Sequence, residues 1–495
     1  MSNAAQPPYR RRRASWWAGG LLVLAAVSVG LTAYLVRNER WSSVPHKTPM
    51  ELVRYTERRL NGHPNLQRLF GPVLESVRRS NEREPPANLP TLGKGQQPFA
   101  LRAPGFDAEG HPKPSIGAAI TSFAPASVAI KTVEQLRAAM ADASPGQVLE
   151  VEPGTYALNK SLNARRAGLP AQPIVVRAAK PGTVDFTVSA RSGVVVSEPF
   201  WVFENLDWRG VCQSHEDCDY AFNIVGRARG TVVLNNRTRD FNVHYKVGGQ
   251  DGHWPDDGLL QYNTISNSVP RRTELPVSSI ELIGVARWMV SDNLVERLLK
   301  VGGSRISYGM CVKGAAQAPR IERNLVACAR EESLRGGLQV GISLGCGTTG
   351  GPYCRDGRCT AEVVEGVIAN NVIAHCNDFG IDLHRARGAV VAHNTLINTE
   401  GIDARDAGTQ AVAVGNLVEG LIRARDGARL DVRDNRLVRD LDTLLTAPDA
   451  LDLRWHESSF EARATPETER DFCGRRRPAF SPPGATVQPR CDAGR

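Results

Sequence analysis

A chain of 495 residues that is 41% hydrophobic, with 46 glycines, is long enough to bury a large core and is excluded from the disordered and collagen-like classes. Its 61 Lys and Arg against 52 Asp and Glu give a formal charge of +9, which points to an acidic partner: nucleic acid, an anionic membrane surface or an acidic polysaccharide. Ten cysteines fit an oxidising compartment.

Residues 1–14 read as a basic cytoplasmic tail that carries the run Arg10 to Arg13. Residues 15–37 follow as a transmembrane anchor, because the uncharged stretch from Trp16 to Val36 is long enough, at about 1.5 Å per helical residue, to cross a bilayer core. Arginines before it and the bulk of the chain after it predict a single-pass inner-membrane protein with its C-terminal part in the periplasm. A cleaved signal peptide is the rival, against which stand the length of the apolar run and the lack of a small-x-small site. Residues 38–83 read as a helical stalk and the Pro/Gly-rich residues 84–125 as a linker. At "KTVEQLRAAMADASPGQVLEVEPGTYAL" Thr132 and Gln135 form a capping-box start, so a short helix followed by a strand is expected to cap a solenoid.

From there the chain repeats, and residues 126–450 are assigned to an all-β, right-handed parallel β-helix. Asn followed by apolar residues recurs at Asn236, Asn263, Asn293, Asn324, Asn371, Asn394, Asn416 and Asn435, the last spacings being 23, 22 and 19 residues. Leucine-rich repeats share this period, but Val and Ile dominate here. The asparagines are read as a structural ladder whose amides satisfy turn backbone groups.

A second motif runs through the same coils: "GMCVK", "GISLG", "GIDLH" and "GIDAR", with "AFNIV", "NVHYK" and "SIELI" before them. Apolar second and fourth places face the core, so the third and fifth face out. One outward column then reads Val225, Lys246, Ile283, Lys313, Gly345, His384, Arg405, and its neighbour Asn223, His244, Glu281, Cys311, Ser343, Asp382, Asp403. Asp382 and Asp403 are expected one coil apart, close enough to raise the pKa of one of them. His384 and Arg405 add a titratable group and a fixed cation, Lys313 lies two coils above His384, and Gly345 between them is expected to leave a notch for a sugar ring. Insertions after Gly345 (346–366) and after Lys246 (248–258) should wall this strip, with Trp254 available for stacking. Cys212 with Cys218, Cys354 with Cys359, and Cys473 with Cys491 read as disulfide staples. The last pair would fasten residues 451–495 as a cap over the C-terminal end of the solenoid.

The coil repeats, "PGQVLEVEPGTY" and "YGMCVKGAAQAPRIERNLV" resemble the right-handed parallel β-helix proteins, and among them polysaccharide lyase family six, the chondroitinase B and alginate lyase group. The resemblance spans roughly residues 126–435. It implies a uronate-containing polymer as substrate, a lysine base matched by Lys313, an arginine acid for which Arg405 or His384 must serve, and possible calcium, near which Glu281 is the one outward acid. β-Elimination is therefore the leading expectation, with substrate contacts at Lys246, His244, Trp254, Glu281 and Ser343. A C5-epimerase, a hydrolase using Asp382 and Asp403, and a non-catalytic surface that binds or guides a polymer in export stay open. Nucleic acid is not expected, since the basic residues are not interleaved with aromatics.

Overall fold

The computed structural model describes Thr56, Leu60 and residues 64–81, 92–97, 128–298, 300–328, 337–456, 460–487 and 491. The basic tail and the anchor expected at 15–37 lie outside the described residues, and among these no helix is long and apolar enough to cross a membrane. Two units are distinguished, Met1–Glu82 and Arg83–Arg495. Of the first, helix α1, Pro64–Asn81, falls within the expected stalk.

The second unit is a parallel β-helix. It opens with helix α2, Val133–Ala141, where Thr132 Oγ1 accepts from the Gln135 amide and Gln135 Oε1 accepts from the Lys131 amide, so the chain is fixed at the helix entry as the capping pattern predicts. Leu136 and Met140 of α2 are buried in the same core as the first coils, the position of a cap. Each following coil gives one strand to each of three parallel sheets of 14, 11 and 10 strands. The coil Val232–Leu234, Arg237–Arg239 and Val243–Gly248 shows the pattern. Inward Phe186, Trp208, Phe222 and Tyr245 stack at ring separations of 4.4 to 5.4 Å in the early coils, and Val, Ile and Leu fill the later ones.

The corner between the 14- and 11-stranded sheets is turned by a single left-handed residue before each ladder asparagine: Asn235, Tyr262, Asp292, Arg323, Asn370, His393, Gly415 and Asp434 all have φ between 51° and 65°. The asparagine then ties the corner to its neighbours. Asn293 Oδ1 accepts from the Asn263 amide at 2.9 Å, Asn324 Oδ1 from the Asn293 amide at 3.0 Å, and each side-chain NH2 donates to a carbonyl one coil back. The ladder runs unbroken from Asn236 to Asn435, which is the structural role expected of these residues.

Within the linker, residues 92–97 are docked on the solenoid: Lys94 is buried, donates to Asp292 at 2.7 Å and lies over the Phe472 ring. The described part of the C-terminal segment packs on a flank of the solenoid. Beyond the last solenoid strand, Arg436–Val438, its Leu441, Leu445, Leu451, Leu453 and Phe472 pack on the outer face of the 11-stranded sheet, against Leu325, Val372, Ala374 and Ile397. Those outward positions are apolar, which makes the flank a better burial partner than the arginine-rich last coil, whose Leu421, Val432 and Leu437 stay exposed.

Candidate functional site

The outer face of the ten-stranded sheet carries the charged strip. Its strands Val243–Gly248, Val277–Ile283, Ile306–Lys313, Leu338–Leu344, Ile381–His384, Gly401–Arg405 and Leu421–Arg425 are in strict parallel register, about 4.8 Å apart. One column reads Asn223, Lys246, Glu281, Cys311, Ser343, Asp382, Asp403, Arg423, and the other runs through Ile283 and Lys313 and through His384, Arg405 and Arg425. The coil at 243–248 is thus shifted by two residues from the sequence expectation, so Lys246 and not His244 stands beside Glu281. A slip of two keeps every side chain on its face, so alternation cannot detect it. His244 is buried, its Nδ1 on Thr238 Oγ1 at 2.9 Å, and burial drives its pKa down to about 3.

Lys246, Glu281 and Lys313 form one cluster. Lys313 Nζ is 2.9 Å from Glu281 Oε1 and Lys246 Nζ donates to Oε2. Burial of Glu281 opposes ionisation, but the two ammonium groups outweigh it and hold the carboxyl below the usual glutamate range. Both oxygens are engaged by ammonium groups, whose charge opposes a further cation at this carboxylate. Among the described residues the one group with metal-ligand geometry is Cys354, Asp356 and Cys359, whose thiols are joined in a disulfide. The donors of the strip do not fit calcium.

Further along, Arg405 grips Asp382 with Nε–Oδ1 2.9 Å and Nη2–Oδ2 3.2 Å, and the buried Ser343 hydroxyl donates to Asp382 Oδ2 at 2.8 Å. Asp403 has no exposed surface and is held by Arg423 at 2.5 Å and Arg425 at 3.0 to 3.2 Å. The two aspartates are neighbours in register as expected, and each is held by guanidinium groups, Asp382 by Arg405 and Asp403 by Arg423 and Arg425. Ser343 is a buried support of Asp382.

His384 fills the expected notch. Gly345 has φ +93°, and a Cβ there would lie 1.8 Å from the His384 carbonyl oxygen, so only glycine lets the two coils approach. His384 Nδ1 faces the Gly345 carbonyl at 3.1 Å, which puts the ring proton on Nδ1 and leaves Nε2 as the basic nitrogen. Burial, then the Arg405 charge, lowers the imidazole pKa, so the ring is neutral at neutral pH. Tyr308, absent from the sequence columns, is a half-buried neighbour of this group: burial and then Asp382 push its hydroxyl above the ordinary tyrosine range, so it stays protonated.

The insertions do form a wall, but Trp254 is part of its masonry. Its ring covers Gly249 and Gly284, where a Cβ would come within 2.4 and 2.2 Å, and the Arg355 guanidinium lies 5.8 Å from the ring centroid. Arg355 closes two bonds of 2.7 and 2.8 Å on Asp256, joining the two insertions. All ten cysteines are paired: Cys212–Cys218, Cys354–Cys359 and Cys473–Cys491, together with Cys311–Cys346 and Cys328–Cys376, which sequence proximity did not reveal. Cys311–Cys346 pins the long insertion to the strip itself. Arg423 and Arg425 were missed because "LIRAR" lacks the leading glycine of the other coils, although its alternation is the same.

The fold and strip together define a parallel β-helix solenoid with a walled, mostly cationic outer face. No known family model and no curated protein matches the chain. Solved structures to which it is similar include an alginate lyase from Paenibacillus sp. str. FPU-7 (12% identity, TM-score 0.36, covering 63% of this chain and 96% of that one). Others are the pectate lyase Pel9A (15%, 0.40, 81% and 99%) and the A-module of a mannuronan C-5 epimerase from Azotobacter vinelandii (10%, 0.38, 61% and 90%). Likeness at these identities and scores carries no information on substrate or reaction.

Proposed function

We propose that this protein acts on an acidic polysaccharide by β-elimination, with Lys313 as the base. The observation that carries the reading is the walled strip on which five cations, Lys246, Lys313, Arg405, Arg423 and Arg425, face three carboxylates, all three already held by cations. The surplus positive charge is left for an anionic polymer. In the elimination, Lys313 first gives its ammonium proton to solvent, Lys246 keeping Glu281 paired, and its free amine then takes the proton α to the uronate carboxylate as the glycosidic C–O bond at the β position breaks. The electron pair of the C–H bond becomes the new double bond, the pair of the broken C–O bond stays on the leaving oxygen, and that oxygen takes a proton from solvent. Lys246, which shares Glu281 with Lys313, is the cation for the charge that develops on the carboxylate, and Arg405, three coils from Lys313, is a cation for another uronate of the same polymer. Abstraction with reprotonation from the opposite face would make an epimerase of the same strip.

Hydrolysis by Asp382 and Asp403 fits poorly, because both carboxylates are buried and each is occupied by arginine. The second reading is a non-catalytic surface that holds or guides the polymer, favoured by the same saturation of the acids. We further place the protein in the inner membrane through residues 15–37, with the solenoid in the periplasm; the five disulfides support an oxidising compartment.

The test is ultraviolet absorbance of the unsaturated uronate product after incubating the full-length chain with a panel of uronate polymers. The reading expects a rise that Lys313→Ala reduces by about 100-fold or more. No rise on any polymer, with binding retained, transfers the assignment to the epimerase or the polymer-holding surface.

A further inference from the structure

The loss of Trp254 to the wall leaves the question of what a sugar ring would lie on. The long insertion answers it with a residue the strip did not include. Tyr353, at the end of the single turn Gly351–Tyr353, is 66% exposed, the most exposed of the large hydrophobic residues described. Everything around it is fixed. Cys354 is bonded to Cys359, the Arg355 amide donates to the Gly314 carbonyl at 3.0 Å, and the Arg355 guanidinium is clamped on Asp256 and the Gly284 carbonyl. The buried Glu362 carboxylate accepts from the Gly314 amide at 2.8 Å, and from the Thr349 amide and hydroxyl at 2.8 and 2.6 Å.

These ties converge on Gly314, the residue directly after Lys313. At φ +80° Gly314 leaves room for the turn: a Cβ there would lie 3.1 Å from the Tyr353 carbonyl oxygen. The turn is therefore seated at the edge of the strip beside Lys313, and it presents an aromatic ring to water on a support tied by a disulfide and these hydrogen bonds. Ordering a loop before its ligand arrives removes a cost that binding would otherwise carry, and an amphipathic ring suits the apolar face of a sugar with its hydroxyls at the rim.

We propose that Tyr353 is the stacking platform of a sugar subsite next to Lys313, an inference that rests on the carbohydrate reading of the strip. The ring's face makes the contact, so phenylalanine should serve as well as tyrosine. The test is affinity electrophoresis of the full-length chain through gels containing polygalacturonate or polymannuronate, comparing wild type, Tyr353→Ala, Tyr353→Phe and Lys313→Ala, with melting temperatures taken in parallel. Tyr353→Ala is expected to weaken apparent affinity about 3- to 10-fold at unchanged melting temperature, and Tyr353→Phe to remain within about twofold of wild type. Retardation that falls with Lys313→Ala but not with Tyr353→Ala overturns the platform alone, as does an equal loss in Tyr353→Phe and Tyr353→Ala. A wild type not retarded by either polymer overturns the carbohydrate reading and the platform with it.

Discussion

Lys246 and Lys313 stand two coils apart and share one carboxylate, that of Glu281, which sits between them with 4% of its side chain exposed. The folded chain binds a proton at Glu281 less readily than the unfolded chain does, since the lysines depress its pKa. This contribution to stability is complete above the ordinary glutamate value of 4.5 and is lost as pH falls through the folded value. Glu281→Gln should lower stability at pH 7 by about 2 kcal/mol, the scale of hydrogen bonds to charged groups. It should also flatten the acid side of the melting-temperature profile. A variant whose profile parallels the wild type between pH 3 and 6, on the scale of about one unit around the ordinary carboxylate pKa, would show that the cluster is not coupled to folding.

Asp403 separates the elimination and hydrolysis readings. Its enclosure by Arg423 and Arg425 gives it a structural task, to keep the last two arginine coils together. Asp403→Asn should cost about 2–3 kcal/mol in urea unfolding, because two guanidinium groups lose a charged partner. Its effect on turnover should stay within about threefold, whereas removal of a true general acid or base costs about 100-fold or more. A turnover loss of that size in a folded Asp403→Asn would reverse the assignment.

The asparagine ladder should be the most sensitive structural element. Asn324 lies at the centre of the stack, accepting from the Asn293 amide at 3.0 Å and donating to the Val290 carbonyl at 2.9 Å and to Asn371 Oδ1 at 3.0 Å, with no exposed surface. Asn324→Ala strands buried partners on both sides, and a loss of about 3 kcal/mol is expected from denaturant unfolding. A loss below about 1 kcal/mol would mean that water replaces the amide.

How far the sequence could be read depended on which physical constraint left a periodic mark. The ladder asparagines and the Val/Ile alternation recur every coil because every coil has the same corner to turn, so solenoid, ladder and capping helix were all legible. The two outward columns were legible where coils follow one another closely, as at Asp382 and Asp403. They failed at His244, where an even slip preserves the alternation; the open notch at Gly345 and the free ring of Trp254 were not legible, because contacts between coils and insertions fill the one and cover the other. Cys311 and Cys346 lie 35 residues apart in sequence, and only the stacking of strands reveals them as neighbours. The C-terminal segment was assigned to the end because an open edge needs cover, but the apolar flank at Leu325, Val372 and Ile397 competes for the same leucines.

That Cys311–Cys346 bond supplies the last prediction. Cys346 begins the wall insertion and Cys311 lies in the strip between Glu281 and Ser343, so the bond fastens the wall at its root while Arg355 fastens it at its far side. Closing a loop of 35 residues restricts the unfolded chain by an amount corresponding to about 3–4 kcal/mol. The double variant Cys311→Ser, Cys346→Ser should lose that much in urea unfolding, with the other four disulfides intact by mass analysis. In the elimination assay it should raise KM more than it lowers kcat, because Lys313 keeps Glu281 while the wall loses one of its anchors. A double variant that melts with the wild type would mean that the Arg355–Asp256 clamp and Glu362 hold the insertion unaided. A kcat loss of about 100-fold with KM unchanged would place the bond's role in the chemistry at Lys313 and not in the wall.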